Sequence, residues 1–166
     1  MIKCVKIQKD LYLKYEKDVF NIIRNNMINI IDTHNSIEED YFNWKTTMDK
    51  EFSNSNKFGY LALEDNKLVG YILLKKLLDG LKIDEIQVIK DHQGDKVTYI
   101  KLLKTINNIN LNNNDIIYSY VNKNNIKSQK MCEKLSFKIY DETNNGIKYK
   151  TTYKDIITIL NSYEVK

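Results

Sequence analysis

Alternation of apolar and polar residues over positions 2–7 predicts a short first strand. The period then lengthens. From residue 11 to about 30, Tyr12, Tyr15, Val19 and Ile22 recur at helical spacing. Ser36 followed by Glu39 is a capping-box pattern, and Ile37, Tyr41, Trp44 and Met48 form one stripe of a second helix. Residues 58–63 and 68–74 read as a hairpin across the turn 64–67, with Gly70 marking a bulge or a close backbone approach. Strand alternation returns over 83–89: Ile86 and Val88 share one face, Glu85 and Gln87 the other, and Asp84 is placed opposite Glu85. Gly94 punctuates the chain and Asp95 is positioned to cap a helix whose Val97, Ile100, Leu103 and Ile106 fall on one face. After an Asn-rich loop over 107–114, an apolar strand covers 116–121 and a helix begins at Asn124 or Asn125 and reaches Leu135. Residues 137–140 and 147–153 form a strand pair joined through 144–146, and a short helix carrying Ile156, Ile157 and Leu160 follows. This order, with long crossovers, points to an α/β or α+β sheet containing antiparallel and parallel pairs.

Composition narrows the partners. With 166 residues, 42% of them hydrophobic, no proline and only five glycines, the chain suits a single domain over 1–166. Its formal charge of +4 accompanies an Asn-, Ile- and Lys-rich bias, with a single arginine, Arg24, and no basic block. Nucleic acid is therefore not an expected partner. Cys4 and Cys132 lie too far apart for a zinc spacing or a disulfide framework, and no metal site is expected. The opening MIKCVKIQKD lacks the apolar core of a signal peptide, and no run of about 18 apolar residues exists, so a cytoplasmic protein without membrane contact is expected. Asp32, His34, Glu38, Glu39 and Asp40 make the junction between the first two helices acidic, which reads either as a rim for a cationic substrate or as ordinary first-turn acids.

Residues 82–104 carry the clearest chemistry. A strand that feeds a glycine turn into a helix N-terminus presents backbone N–H groups and a positive dipole end, which is a place for phosphate.

Three segments resemble the GCN5-related N-acetyltransferase (GNAT) superfamily. The hairpin LEDNKLVGYILL resembles that family's second and third strands. The run from Val88 through Gln93-Gly94 to Thr98 is similar to its acetyl-CoA motif. VNKNNIKSQKMCEKLSF, with Asn125, Ser128, Cys132, Leu135 and Phe137 in register, resembles its second signature. The resemblance implies a mixed, mostly antiparallel sheet of six or seven strands, helices on both faces, and a central parallel pair that splays apart. Acetyl-CoA would lie in that gap. Val88 and Lys90 would hydrogen-bond the pantetheine arm, and Gln93, Gly94, Asp95, Lys96, Val97 and Thr98 would cup the diphosphate. Asn125 and Ser128 would hold the arm from the other side. The chain departs from the family pattern at Lys96 and Thr98, where small residues are usual, and at Cys132, where the family keeps a tyrosine that protonates the departing thiolate. Lys96 could set its ammonium, and Thr98 its hydroxyl, against a phosphate. Cys132 reads either as that proton donor or as a small buried hydrophobe, with Tyr118 or Tyr120 as a substitute acid.

The implied reaction is direct attack of a primary amine, from a small molecule or a protein, on the thioester. Glu85 is the expected base and the Val88 N–H the oxyanion donor. His92 reads as an exposed loop residue. A degenerate member that keeps the fold as an interaction module is the alternative, and the chain is expected to be a monomer or homodimer.

Overall fold

The computed structural model describes residues 1–94 and 96–163. Asp65 and Asn66 take φ of 49° and 63°, the two positive values that a tight hairpin turn demands. They join β2 (Lys57–Glu64) to β3 (Lys67–Leu77). β1 (Ile2–Lys6) pairs along the outer edge of β2, and β4 (Gly80–Val88) returns beside β3, all antiparallel. β5 (Ile116–Asn122) lies parallel to β4, and β7 (Gly146–Thr152) and β6 (Lys138–Glu142) complete the order β1-β2-β3-β4-β5-β7-β6.

Two slips break the ladders on either side of β3. Val69 is an extra residue in β3, because Leu63 pairs with Leu68 while Ala62 pairs with Gly70. A side chain at Gly70 would come within 2.8 Å of the Gln87 carbonyl, so the close approach expected there is present. The second slip decides more. Leu73 pairs with Glu85 and Leu74 with Ile83, leaving Asp84 as a bulge residue in β4. Leu81, Ile83, Ile86 and Val88 consequently pack into one core although Ile83 and Ile86 are three apart.

Helices cover both faces. α1 (Lys9–Met27) and α2 (Ile37–Phe52) bury Tyr12, Tyr15, Val19 and Met48 against Leu61, Tyr71 and Leu73. Ser36 accepts from the Glu39 N–H while Glu39 accepts from the Ser36 N–H, completing the expected capping box. Ile37, expected on the inner stripe of α2, is instead exposed. α3 (Val97–Lys104) and α5 (Tyr153–Ser162) bury Ile100, Leu102, Leu103, Ile156 and Leu160 on the opposite face. There α4 (Ile126–Lys134) and the turn after it add Cys132, Leu135 and Phe137.

α4 ends in a Schellman motif. The Phe137 N–H reaches the Cys132 carbonyl at 3.0 Å and the Ser136 N–H reaches that of Glu133 at 3.2 Å. Ser136 occupies the left-handed position at φ 63°, which glycine fills without steric cost. Ser136→Gly is expected to stabilise the protein by about 1 kcal/mol, a rise of about 2–4 °C in Tm for a chain of this size. A melting curve checks it.

Candidate active site

The parallel ladder between β4 and β5 is short. It runs only from Gly80–Ile116 to Ile83–Ser119. Beyond it β4 continues to Val88 on β3 alone, and β5 continues to Asn122 on β7 alone, so the strands part at the Asp84 bulge. The Ile89 N–H bonds the Val69 carbonyl at 3.0 Å. By strand alternation, Val88 therefore turns its own N–H and C=O away from β3 and into the gap.

A cavity of about 320 Å³ follows this edge, from Ile86, Gln87 and Val88 past Lys90, Gln93 and Lys96 to α4. Hydrogen bonds cross it in sequence. Lys127 Nζ donates to Gln93 Oε1 at 2.6 Å, and Gln93 Nε2 donates to Asn26 Oδ1 at 3.1 Å and to the Val88 carbonyl at 3.0 Å. Asn26 Nδ2 donates to that same carbonyl at 3.0 Å and to Gln87 Oε1 at 2.9 Å. Asn26, Lys127, Tyr99 and Met131 all line the cavity, and the sequence reading missed them. Asn26 and Lys127 carried no signal in a chain dense in Asn and Lys. Tyr99 stands only three residues beyond Lys96.

The turn before α3 differs in detail from its expected form. Asp95 lies outside the described residues. Gly94 has no positive φ, and a side chain there would meet open space. The left-handed residue is Lys96, at φ 61°, which caps α3 and lines the cavity. The first ladder bond of α3 runs from the Ile100 N–H to the Lys96 carbonyl, so the helix's positive end opens beside the cavity. Val97 is half-buried and Lys90 is exposed at the start of a short 3-10 turn. Asn125 and Ser128 face the cavity from α4, where the Asn125 side chain accepts from the Ser128 N–H at 3.1 Å and caps the helix.

Three expectations are corrected, and Cys132 takes the second of its two readings. Thr98 does not offer its hydroxyl to a ligand, because the residue is fully buried and its Oγ1 lies 3.0 Å from His92 Nδ1. His92 is consequently no loose loop residue; its Nε2 also reaches Glu64 at 3.4 Å and ties the turn to the β2–β3 hairpin. Cys132 faces the core beside α3, and burial pushes its thiol up to about 11. Tyr120 points away from the gap, 45% exposed, with its hydroxyl 3.0 Å from Thr143 Oγ1 and its ring against Gly146. Tyr118 is likewise engaged elsewhere, donating to Asp79 at 2.6 Å.

Glu85 sits where the strands part. It lines a second cavity of about 160 Å³, with Met48 and Phe52 of α2, Lys57 and Phe58 of β2, and Leu73 of β3. Burial pushes its carboxyl up to about 7 against the stabilising hydrogen bond donated by the Tyr71 hydroxyl. Asp84 lines the same cavity, a correction to the alternation that set it opposite Glu85; the bulge brings both to one side. Their electrostatics differ. Asp84 pairs with Lys57 at 2.5 Å and with Lys82 at 2.8 Å, which hold its carboxyl below the usual carboxylate range despite burial. One step along β4 from Glu85, Ile86 lines the larger cavity. A carboxylate poised near neutrality thus adjoins a cleft with a backbone edge, a helix N-terminus and three lysines.

Among the described residues, no group of His, Cys, Asp and Glu could hold a metal ion, and no helix is long and apolar enough to cross a membrane. The family model described as acetyltransferase (GNAT) family matches residues 19–137. No curated protein matches the sequence. Among solved structures, the PaiA N-acetyltransferase of Thermoplasma acidophilum, in complex with coenzyme A, superposes with a TM-score of 0.71 at 18% identity, covering 92% of this chain and 99% of that one. PH1933 of Pyrococcus horikoshii gives 0.71 at 20% identity over 92% and 98%. The N-acetyltransferase PseH of Campylobacter jejuni, in complex with acetyl coenzyme A, gives 0.58 at 17% identity over 92% and 99%. At such identities the likeness speaks for the fold.

Proposed function

Because the chain belongs to the acetyltransferase (GNAT) family, whose members use acetyl-CoA, we propose that it transfers an acetyl group from acetyl-CoA to a primary amine by direct attack on the thioester. The observation that carries this reading is the parting of β4 from β5 with Glu85 at its apex and a cationic, helix-opened turn at its mouth.

The residues present fit the donor. Lys90, Lys96 and Lys127 with the α3 N-terminus suit a diphosphate, and the edge of Val88, whose carbonyl Asn26 and Gln93 hold, turns into the gap toward an amide-bearing arm. When bound, acetyl-CoA supplies an activated acyl group. Glu85, largely ionised above pH 7, takes the proton from the attacking amine, and the Val88 N–H, directed into the gap, faces the developing oxyanion. No residue of the chain would be needed as a dedicated acid, since a thiol of ordinary pKa near 8.5 would take its proton from water at neutral pH. That accounts for a core cysteine at 132 without loss of the chemistry.

Acetyl-CoA is expected to raise Tm on titration and to release free thiol when an amine is added. No shift at millimolar acetyl-CoA would leave the fold as an interaction module. Lys96→Gly separates the two roles of that residue. Relief of its left-handed φ raises Tm of the apoprotein, while loss of the ammonium weakens coenzyme A binding by about tenfold, the worth of one charge-assisted hydrogen bond. Calorimetric titration reads the second effect.

A further inference from the structure

The cavity behind Glu85 specifies more than a base. From its walls we infer that the acceptor is a primary amine carried on an apolar arm, with no second charge on that arm. This rests on the acetyltransferase reading above.

Charge balance comes first. The carboxylates of the cavity other than Glu85 are already paired: Glu51 with Lys57, and Asp84 with both Lys57 and Lys82. No unpaired anion is left for a second ammonium, so a polyamine would bring an uncompensated cation into a confined site. A phosphorylated or carboxylated amine would bring its anion beside the Glu85 carboxylate, which repels it.

The walls make the next distinction. Beside the ion-paired Glu51, Lys57 and Asp84, and Thr47 at the rim, Met48, Phe52, Phe58 and Leu73 offer methylene, thioether and aromatic surface without a hydrogen-bonding atom. Each hydroxyl of an amino sugar set against these four residues would go unsatisfied, at a cost for such groups of about 1–3 kcal/mol. An alkyl or arylalkyl chain instead exchanges water for apolar contact.

Size sets the limit. A volume of about 160 Å³, at about 10–15 Å³ for each water-sized group, holds about 11–16 such groups. Hexylamine and phenethylamine fit that limit, and so does a lysine side chain entering from a peptide. The shared chemistry is an ammonium at the end of a short apolar arm.

The test is thiol release from acetyl-CoA with hexylamine, phenethylamine, spermidine, glucosamine and a lysine-containing peptide as acceptors. The expected result is a kcat/KM for the two apolar amines at least about tenfold above those for spermidine and glucosamine, the discrimination that one unmet polar group gives. Turnover of the peptide at a rate matching hexylamine supports the same arm chemistry from a macromolecular source. Spermidine or glucosamine as the preferred acceptor overturns the inference and leaves the acetyltransferase reading standing. So does a failure of all five amines while acetyl-CoA still raises Tm. Absence of both thiol release and a Tm shift removes the acetyltransferase reading itself. A variant gives a second measurement. Thr47 lies on the exposed side of α2 at the rim of this cavity. Thr47→Asp adds an unpaired carboxylate there and is expected to shift the spermidine-to-hexylamine ratio of kcat/KM upward by about two- to fivefold, the worth of a charge pair at an exposed rim. An unchanged ratio counts against the assigned pocket.

Discussion

Glu85→Gln lowers kcat/KM for amine acetylation by about 10²- to 10⁴-fold at neutral pH, the span associated with loss of a general base. Affinity for acetyl-CoA is retained, because Glu85 lines the smaller cavity and not the cofactor cleft. The wild-type rate falls as pH drops below about 7, where Glu85 is protonated, and the variant lacks that limb. Stability carries an independent signature. The folded carboxyl titrates near 7 against an ordinary value of 4.5, so between these values the unfolded chain holds fewer protons than the folded one. Stability therefore declines as pH rises through this window. At pH 8 the buried charge costs about 3 kcal/mol, which glutamine recovers. The variant then melts above wild type at pH 8, and the gap closes toward pH 5. Equal rates across pH, or parallel melting profiles, would take Glu85 out of the mechanism.

Gly80→Ala is the most damaging single substitution expected outside the site. Gly80 has φ 153° and a methyl there would sit 2.0 Å from the Ile116 carbonyl oxygen, an atom of the neighbouring strand's backbone that cannot swing aside. The predicted loss is about 3 kcal/mol or more, a fall in Tm of about 6–12 °C for a chain of this length. Gly80 opens the only parallel ladder in the sheet, so the same displacement spreads to the apex of the cleft. Weakened coenzyme A binding should accompany the lower Tm, and a variant that melts normally would contradict the close approach.

Glu85, Val88, Gln93, Lys96 and Asn125 were named from the sequence because hairpin, turn and second signature stand in register, and all five line one or other of the two cavities. Which way each side chain points was less accessible. Asp84 was assigned by alternation, and alternation fails where β3 imposes a slip that β4 alone does not announce. Thr98 and Cys132 hold the right positions in the chain, yet both belong to helix faces that pack inward, a fact settled by α3 and α4 lying against one core. His92 looked like loop because its partners, Glu64 and Thr98, come from segments on either side of it. Asn26 sits sixty-odd residues before the carbonyl it binds, and no local pattern marks such a pairing.

Asp84 is the residue the sheet could do without. Remove it, and Leu81, Ile83, Ile86 and Val88 would keep their inward places in an unbroken zigzag, so the hydrophobic interior has no use for it. An ordinary strand cannot turn two consecutive acids the same way, one neutralised by lysines and the other left to trade protons. A deletion at this position should thus yield a well-folded chain with a flatter wall beside Leu73, in which Glu85 has lost its companion and the slot its floor.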